Sequence, residues 1–115
     1  QQEFLQVDTT NILFICTANR ERSPTAEQVF ADWPGVETDS AGIANDADVQ
    51  LSSEQVEWAD TIFVMEKVHR TRLQNGFRKH LNDKRVICLN IPDQYPLMDM
   101  ELVELLKARV RPYLR

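Results

Sequence analysis

The sequence predicts an α/β fold, a three-layer sandwich around a four-stranded parallel sheet, and three observations predict it. The runs Asn11–Cys16, Thr61–Met65 and Arg85–Leu89 are apolar almost throughout, as strands covered on both faces are. Stretches with helix-start and helix-stop residues separate them, and strands that alternate with helices build parallel sheets. The 115 residues contain no repeat, low-complexity tract or linker, so residues 11–115 read as one domain.

Each element has a local reason. The first strand, NILFIC, is β-branched and aromatic. Ser23-Pro24 offers an N-cap and a first helical residue for a helix over Thr25–Trp33, which Pro34-Gly35 stops. A second strand covers about Val36–Ala41. Ser52 with Gln55 three residues later is a capping-box pattern for a helix that ends near Ala59. Thr61–Met65 is the third strand, a basic helical segment runs from about Val68 to His80, and Arg85–Leu89 is the fourth strand. Ile91–Tyr95 is a proline-containing loop. Asp99 can cap a last helix whose Leu102, Leu105, Leu106 and Val110 share a face. Trp33 and Trp58 read as core.

Composition excludes several classes. A net charge of −5 disfavours nonspecific binding to nucleic acid or membrane surfaces. No apolar run approaches the roughly 18 residues a spanning helix needs. Residues 1–10, QQEFLQVDTT, lack a cationic leader or cleavage site and read as a flexible extension. Two cysteines make no disulfide framework and suit a reducing compartment, so a cytoplasmic location is expected. There is no CxxC or His/Cys cluster, so no metal site is expected.

The informative stretch is Cys16-Thr17-Ala18-Asn19-Arg20-Glu21-Arg22-Ser23, a Cys-x5-Arg-Ser sequence between strand and helix. Successive N–H groups of such a curled loop converge on an anion, and the following helix points its positive end at the same place. Arg22 supplies a planar fork for two phosphate oxygens. The same positive features favour the thiolate form of Cys16. A cysteine ending a buried strand is often just a small hydrophobe. An arginine at a helix N-terminus, however, is misplaced unless an anion compensates it. Cys88, mid-strand with no basic loop, reads as structural.

At these residues the chain resembles the low-molecular-weight protein tyrosine phosphatase family, as a short and divergent relative. ILFICTANRERSPTAE is similar to the family's first strand, phosphate loop and first helix; Ser40-Ala41-Gly42 and Ala59–Met65 are similar to its next two segments. The resemblance implies a phosphatase that hydrolyses phosphomonoesters of the phosphotyrosine type through a phosphocysteine intermediate, with no metal or organic cofactor. It implies Cys16 as nucleophile, Arg22 as clamp, and Thr17, Ala18, Asn19, Arg20, Glu21 and Ser23 around the phosphate. Asn19 and Ser23 match positions that hydrogen-bond within the loop, and Ser40 matches a serine that supports it. Asp93 matches the general acid, although its following proline is missing; a plain turn residue is the alternative, and Asp99 is a rival better explained as a cap. Tyr95 matches an aromatic cleft wall, which packing explains almost as well. A phosphorylated protein or small phosphoester is the implied partner.

Departures from the family pattern set further expectations. Glu21 stands where a second loop cysteine is common, and should point outward to pair with Arg20. The chain is short between Gly42 and Ala59, a region that contributes a cleft wall in the family. Competing readings are a catalytically weak phosphate-binding or interaction module and, less favoured, an arsenate reductase, for which Cys88 is a poor relay thiol. A phosphocysteine carrier is disfavoured by Arg22. The basic run Lys67, His69, Arg70, Arg72, Arg78, Lys79, His80 reads as a solvated helix face, with an acidic partner or nucleotide-like substrate as the alternative. His69 reads as a surface or loop-supporting residue.

Overall fold

The apolar runs form one fully parallel sheet. In the computed structural model, which describes residues 9–114, the strands are β1 (Thr10–Cys16), β2 (Val36–Gly42), β3 (Thr61–Val64) and β4 (Arg85–Cys88), in the order β2-β1-β3-β4. Of the extension expected at residues 1–10, residues 1–8 lie outside the described residues, and Thr10 already pairs with Val36. The central strand explains the apolar pattern: every residue from Ile12 to Ile15 is fully buried, because β1 has a neighbour on each edge and helices on each face.

Helices α1 (Arg22–Phe30) and α4 (Met100–Val110) cover one face, where Ile12, Phe14 and Phe63 meet Ala26, Phe30, Leu102, Leu106 and Val110. Phe14 stacks on both Phe30 and Phe63, at centroid distances of 5.9 and 5.4 Å. Helices α2 (Ser53–Trp58) and α3 (Lys67–Phe77) cover the other, where Leu13, Ile15, Ile62 and Val64 meet Val56 and Leu73. Each buried Leu, Ile or Phe contributes roughly 1.5–3 kcal/mol by leaving water. Trp33 and Trp58 are half-buried on the flanks of these clusters rather than inside them. Leu105 is likewise only half-buried beside its three buried helix mates.

Two helix ends follow the sequence reading. Ser52 and Gln55 make the reciprocal capping box, and Asp99 accepts from the Glu101 and Leu102 N–H groups. The start of α1 does not. The helix begins at Arg22 with Glu21 at the N-cap, and neither Glu21 nor Ser23 caps it by a side-chain bond. Ser23 is buried and its hydroxyl serves the loop instead, while Pro24 falls where an N–H has no intrahelical acceptor and costs nothing. The basic segment divides into α3 and a separate 3-10 turn at Arg78–His80.

The chain passes from β1 outward to β2 and then back across β1 to β3. It therefore reverses direction between β1 and β3, and the loops that leave their carboxyl ends diverge to opposite faces. Parallel sheets bind ligands at such a crevice. Both Cys16 and Glu66 lie there, at the end of β1 and just beyond β3.

Candidate active site

The loop after Cys16 is held by its carbonyls. Those of Cys16, Thr17 and Ala18 accept hydrogen bonds from the N–H groups of Ile43, Ala44 and Asp48, at 3.0 Å each. With its carbonyls turned toward the segment after β2, the loop is left to direct N–H groups to the opposite side. The close approach requires Gly42: a Cβ there would lie 2.5 Å from the Ala47 Cβ and 2.7 Å from the Thr17 carbonyl oxygen. The segment after Gly42 thus packs against the carbonyl side of the loop.

Asn19 closes the curl. It adopts a left-handed conformation, φ 58°, which asparagine tolerates better than most residues. Its side-chain amide donates to the hydroxyls of Ser23 (2.9 Å) and Ser40 (3.0 Å), and Ser40 donates in turn to Glu27. Ser40 on β2 is thus hydrogen-bonded to the loop through Asn19. The Asn19 N–H points at the Cys16 sulfur, 3.3 Å away, and the Ser23 hydroxyl lies 3.0 Å from it. Ser23 has one proton and two acceptors within reach, Sγ and the Ala41 carbonyl at 3.3 Å. As an anion, the sulfur is the stronger acceptor of the two.

Arg22 is 2% exposed and its position is over-determined. Its Nη1 donates to the Ile91 carbonyl (2.8 Å) and to Glu66, while Nη2 faces Thr17 Oγ1 at 3.5 Å. With Nη1 committed to these protein acceptors, the Nε–Nη2 edge is the one left to an anion. That edge is a planar fork.

Glu66 is a site residue that the sequence reading misses. The signal for it is a carboxylate directly after a buried strand, at the same sheet edge as Cys16. It pairs with the Arg22 guanidinium and also starts α3. His69 supports the loop, one of its two expected roles, but it is fully buried rather than on the surface. The Glu66 N–H donates to its Nδ1 (3.0 Å), so the ring proton sits on Nε2 and is donated to Thr17 Oγ1 (2.8 Å). Protonation of Nδ1 breaks this chain. Burial first, and the Arg22 guanidinium second, push the His69 pKa down to about 4.

A stability consequence follows. Between pH about 4 and the unfolded value near 6.5, the unfolded chain binds a proton at His69 that the folded chain does not. Stability therefore rises with pH across that window and gains nothing further from this residue above it. Urea unfolding at pH 4.5 and 6.5 is expected to show a smaller rise for His69→Gln than for the parent; equal rises would count against a buried neutral imidazole.

Asp93 reaches the same place from the loop after β4. Its carboxylate lies 3.8 Å from Arg22 Nη2, and the side chain is 61% exposed. Asp99 is occupied as the α4 cap. Tyr95 packs on the core beside α4 and borders a groove with Met100, Glu101, Glu104 and Leu105. The expected Arg20–Glu21 pair is absent. Arg20 instead donates to Asp48 (3.1 Å) and the Asp46 carbonyl, because adjacent residues of a curled loop point apart and the segment after β2 lies within reach. Cys88 is the last residue of β4 rather than a mid-strand residue, half-buried, with its thiol directed at Asn90.

A parallel sheet in this strand order, with a Cys-x5-Arg loop between first strand and first helix, is the fold of the low-molecular-weight protein tyrosine phosphatases. Among solved structures, the chain is similar to the YwlE arginine phosphatase from Geobacillus stearothermophilus, at 24% identity and a TM-score of 0.72, with 91% of this chain and 92% of that one covered. It is also similar to Wzb from Vibrio vulnificus in complex with benzylphosphonate (23%, 0.75, 90% and 96% covered). A third is SP-PTP, a low molecular weight protein tyrosine phosphatase from Streptococcus pyogenes (17%, 0.74, 92% and 91%). No family model and no curated protein sequence matches the chain.

Proposed function

We propose that this protein is a cysteine-dependent phosphatase acting on phosphomonoesters, and that residues 11–115 form its single domain. The observation that carries the reading is the convergence on one sulfur atom: the Cys16 Sγ receives a main-chain N–H and faces a hydroxyl, next to a buried guanidinium whose Nη2 has only long contacts, 3.5 Å to Thr17 and 3.8 Å to Asp93.

The chemistry is a double displacement. The Cys16 thiolate attacks phosphorus, forming the S–P bond as the P–O bond to the leaving group breaks. Asp93 gives its proton to the departing oxygen. Asp93 then takes a proton from water, whose oxygen attacks phosphorus and returns the electron pair to sulfur. Through both steps Arg22 and the loop N–H groups hold the three equatorial oxygens. Ser23 and Asn19 support the thiolate, whereas Ala18, Arg20 and Glu21 offer the phosphate only their main chain. Phosphotyrosine on protein is the substrate that the family likeness favours; a cytoplasmic setting suits the two free thiols.

A weak phosphate-binding module is the second reading, favoured by one observation: Asp93 is exposed, and among the described residues no hydrogen bond holds its carboxylate. The two separate by experiment. p-Nitrophenyl phosphate, whose leaving group needs little protonation, is expected to be hydrolysed at pH 5–7. Asp93→Asn should lose roughly 10²-fold or more in kcat on phenyl phosphate, a poorer leaving group, and much less on the nitrophenyl ester. Equal losses on both esters would remove Asp93 from the role of acid; no turnover of either by the parent would favour the module.

A further inference from the structure

Charge is unevenly placed in this chain. Residues 67–85 hold seven Lys/Arg and one Asp/Glu, whereas residues 1–66 hold two and thirteen. Lys67, Arg70 and Arg72 on α3, with Arg78 and Lys79 on the following turn, make no ion pair or hydrogen bond through their side chains among the described residues. Every other described arginine is engaged: Arg20 with Asp48, Arg22 with Glu66, Arg85 over Tyr113, Arg109 with the Leu89 and Asn90 carbonyls, Arg111 over Trp33.

These cations do not serve the helix that bears them. Lys67 and Arg70 occupy its first turns, where the helix dipole disfavours positive charge, and no acidic residue lies in the first turn. Lys67 and Arg70 are also like charges three apart on one face, which costs about a few tenths of a kcal/mol. His69 and Leu73 face inward, so Lys67 projects outward, with the half-buried Arg70 on one flank of the helix and the exposed Arg72 on the other. The row starts at the mouth of the loop, since Lys67 follows the residue that pairs with Arg22.

We infer that the outer face of α3 and its following turn is a docking track for an acidic segment flanking the phosphorylated residue of a protein substrate. This rests on the proposed phosphatase activity and names its substrate class. An 11-residue helix spans about 16 Å, which matches about five residues of extended peptide. A protein segment fits better than a nucleic acid: the remaining surface is strongly acidic and would repel a long polyanion, and no aromatic side chain on this face is exposed for base stacking.

The test uses three phosphotyrosine peptides of equal length, carrying three Asp, three Asn or three Lys beside the phosphotyrosine. At low salt, kcat/KM is expected to favour the Asp peptide over the Asn peptide by about tenfold, with the difference shrinking in 0.5 M NaCl. In the triple variant Arg72→Glu, Arg78→Glu, Lys79→Glu, with folding checked by its urea midpoint, the preference should vanish or invert. Equal kcat/KM for the three peptides, while p-nitrophenyl phosphate is hydrolysed, overturns the docking track. Should no ester be hydrolysed, the phosphatase reading fails separately, and fluorescence anisotropy of a labelled Asp peptide still decides: binding lost in the triple variant supports the track, no binding refutes it. A single-stranded oligonucleotide that binds the parent more tightly than the Asp peptide would also overturn it.

Discussion

Cys16→Ser is expected to abolish phosphatase turnover, with a loss of at least roughly 10³-fold in kcat, while the folded protein still binds phosphate. The geometry explains both halves. A serine oxygen in this position has around it the Asn19 N–H, a donor, and the Ser23 hydroxyl, which can donate or accept a hydrogen bond but is no base to take its proton. The nearby imidazole cannot help, because its Nδ1 accepts from Glu66 and its Nε2 proton is given to Thr17. The anion-binding parts are untouched, so inorganic phosphate should raise the melting temperature of the variant about as much as that of the parent. Steady-state assays and thermal unfolding with phosphate check the two halves. Turnover within tenfold of the parent would mean that another group attacks phosphorus.

Arg22→Lys is expected to cost about 10²–10³ in kcat although the charge is kept. One guanidinium holds Glu66 and the Ile91 carbonyl through Nη1 while offering Nε and Nη2 to the equatorial oxygens. An ammonium is a single point and cannot face both ways. Losing the hydrogen bond to the Ile91 carbonyl leaves a buried acceptor unpaired, so a further loss of about 1–3 kcal/mol in stability is expected, read as a lower urea midpoint. A variant with parental kcat would show that the loop N–H groups alone carry the phosphate.

The local chemistry of the chain is legible in its residues. Continuous apolar runs announce the strands, although the edge strand β4 is only half-buried, Ser52 with Gln55 and Asp99 announce their helix starts, and Cys16 with Arg22 announces the loop. Assignments fail where one side chain has two possible partners. Ser23 could cap α1 or turn to the sulfur, and the buried pocket decides for the sulfur. Arg20 could meet Glu21 or a residue far along the chain, and Asp48 is the one within reach. His69 looks like part of a basic surface run, yet helical periodicity turns it and Leu73 inward while their neighbours stay in water.

From its residues alone, this chain determined a parallel α/β layer structure and a loop made to receive an anion, because hydrophobic periodicity, capping and turn chemistry act over a few positions. Tertiary structure alone decided which groups hold Arg22 and the loop in place. Glu66, the Ile91 carbonyl, Ser40 and His69 come from separate stretches of the sequence, and only the return of the chain across β1 brings their short-range hydrogen bonds to the same guanidinium and the same loop.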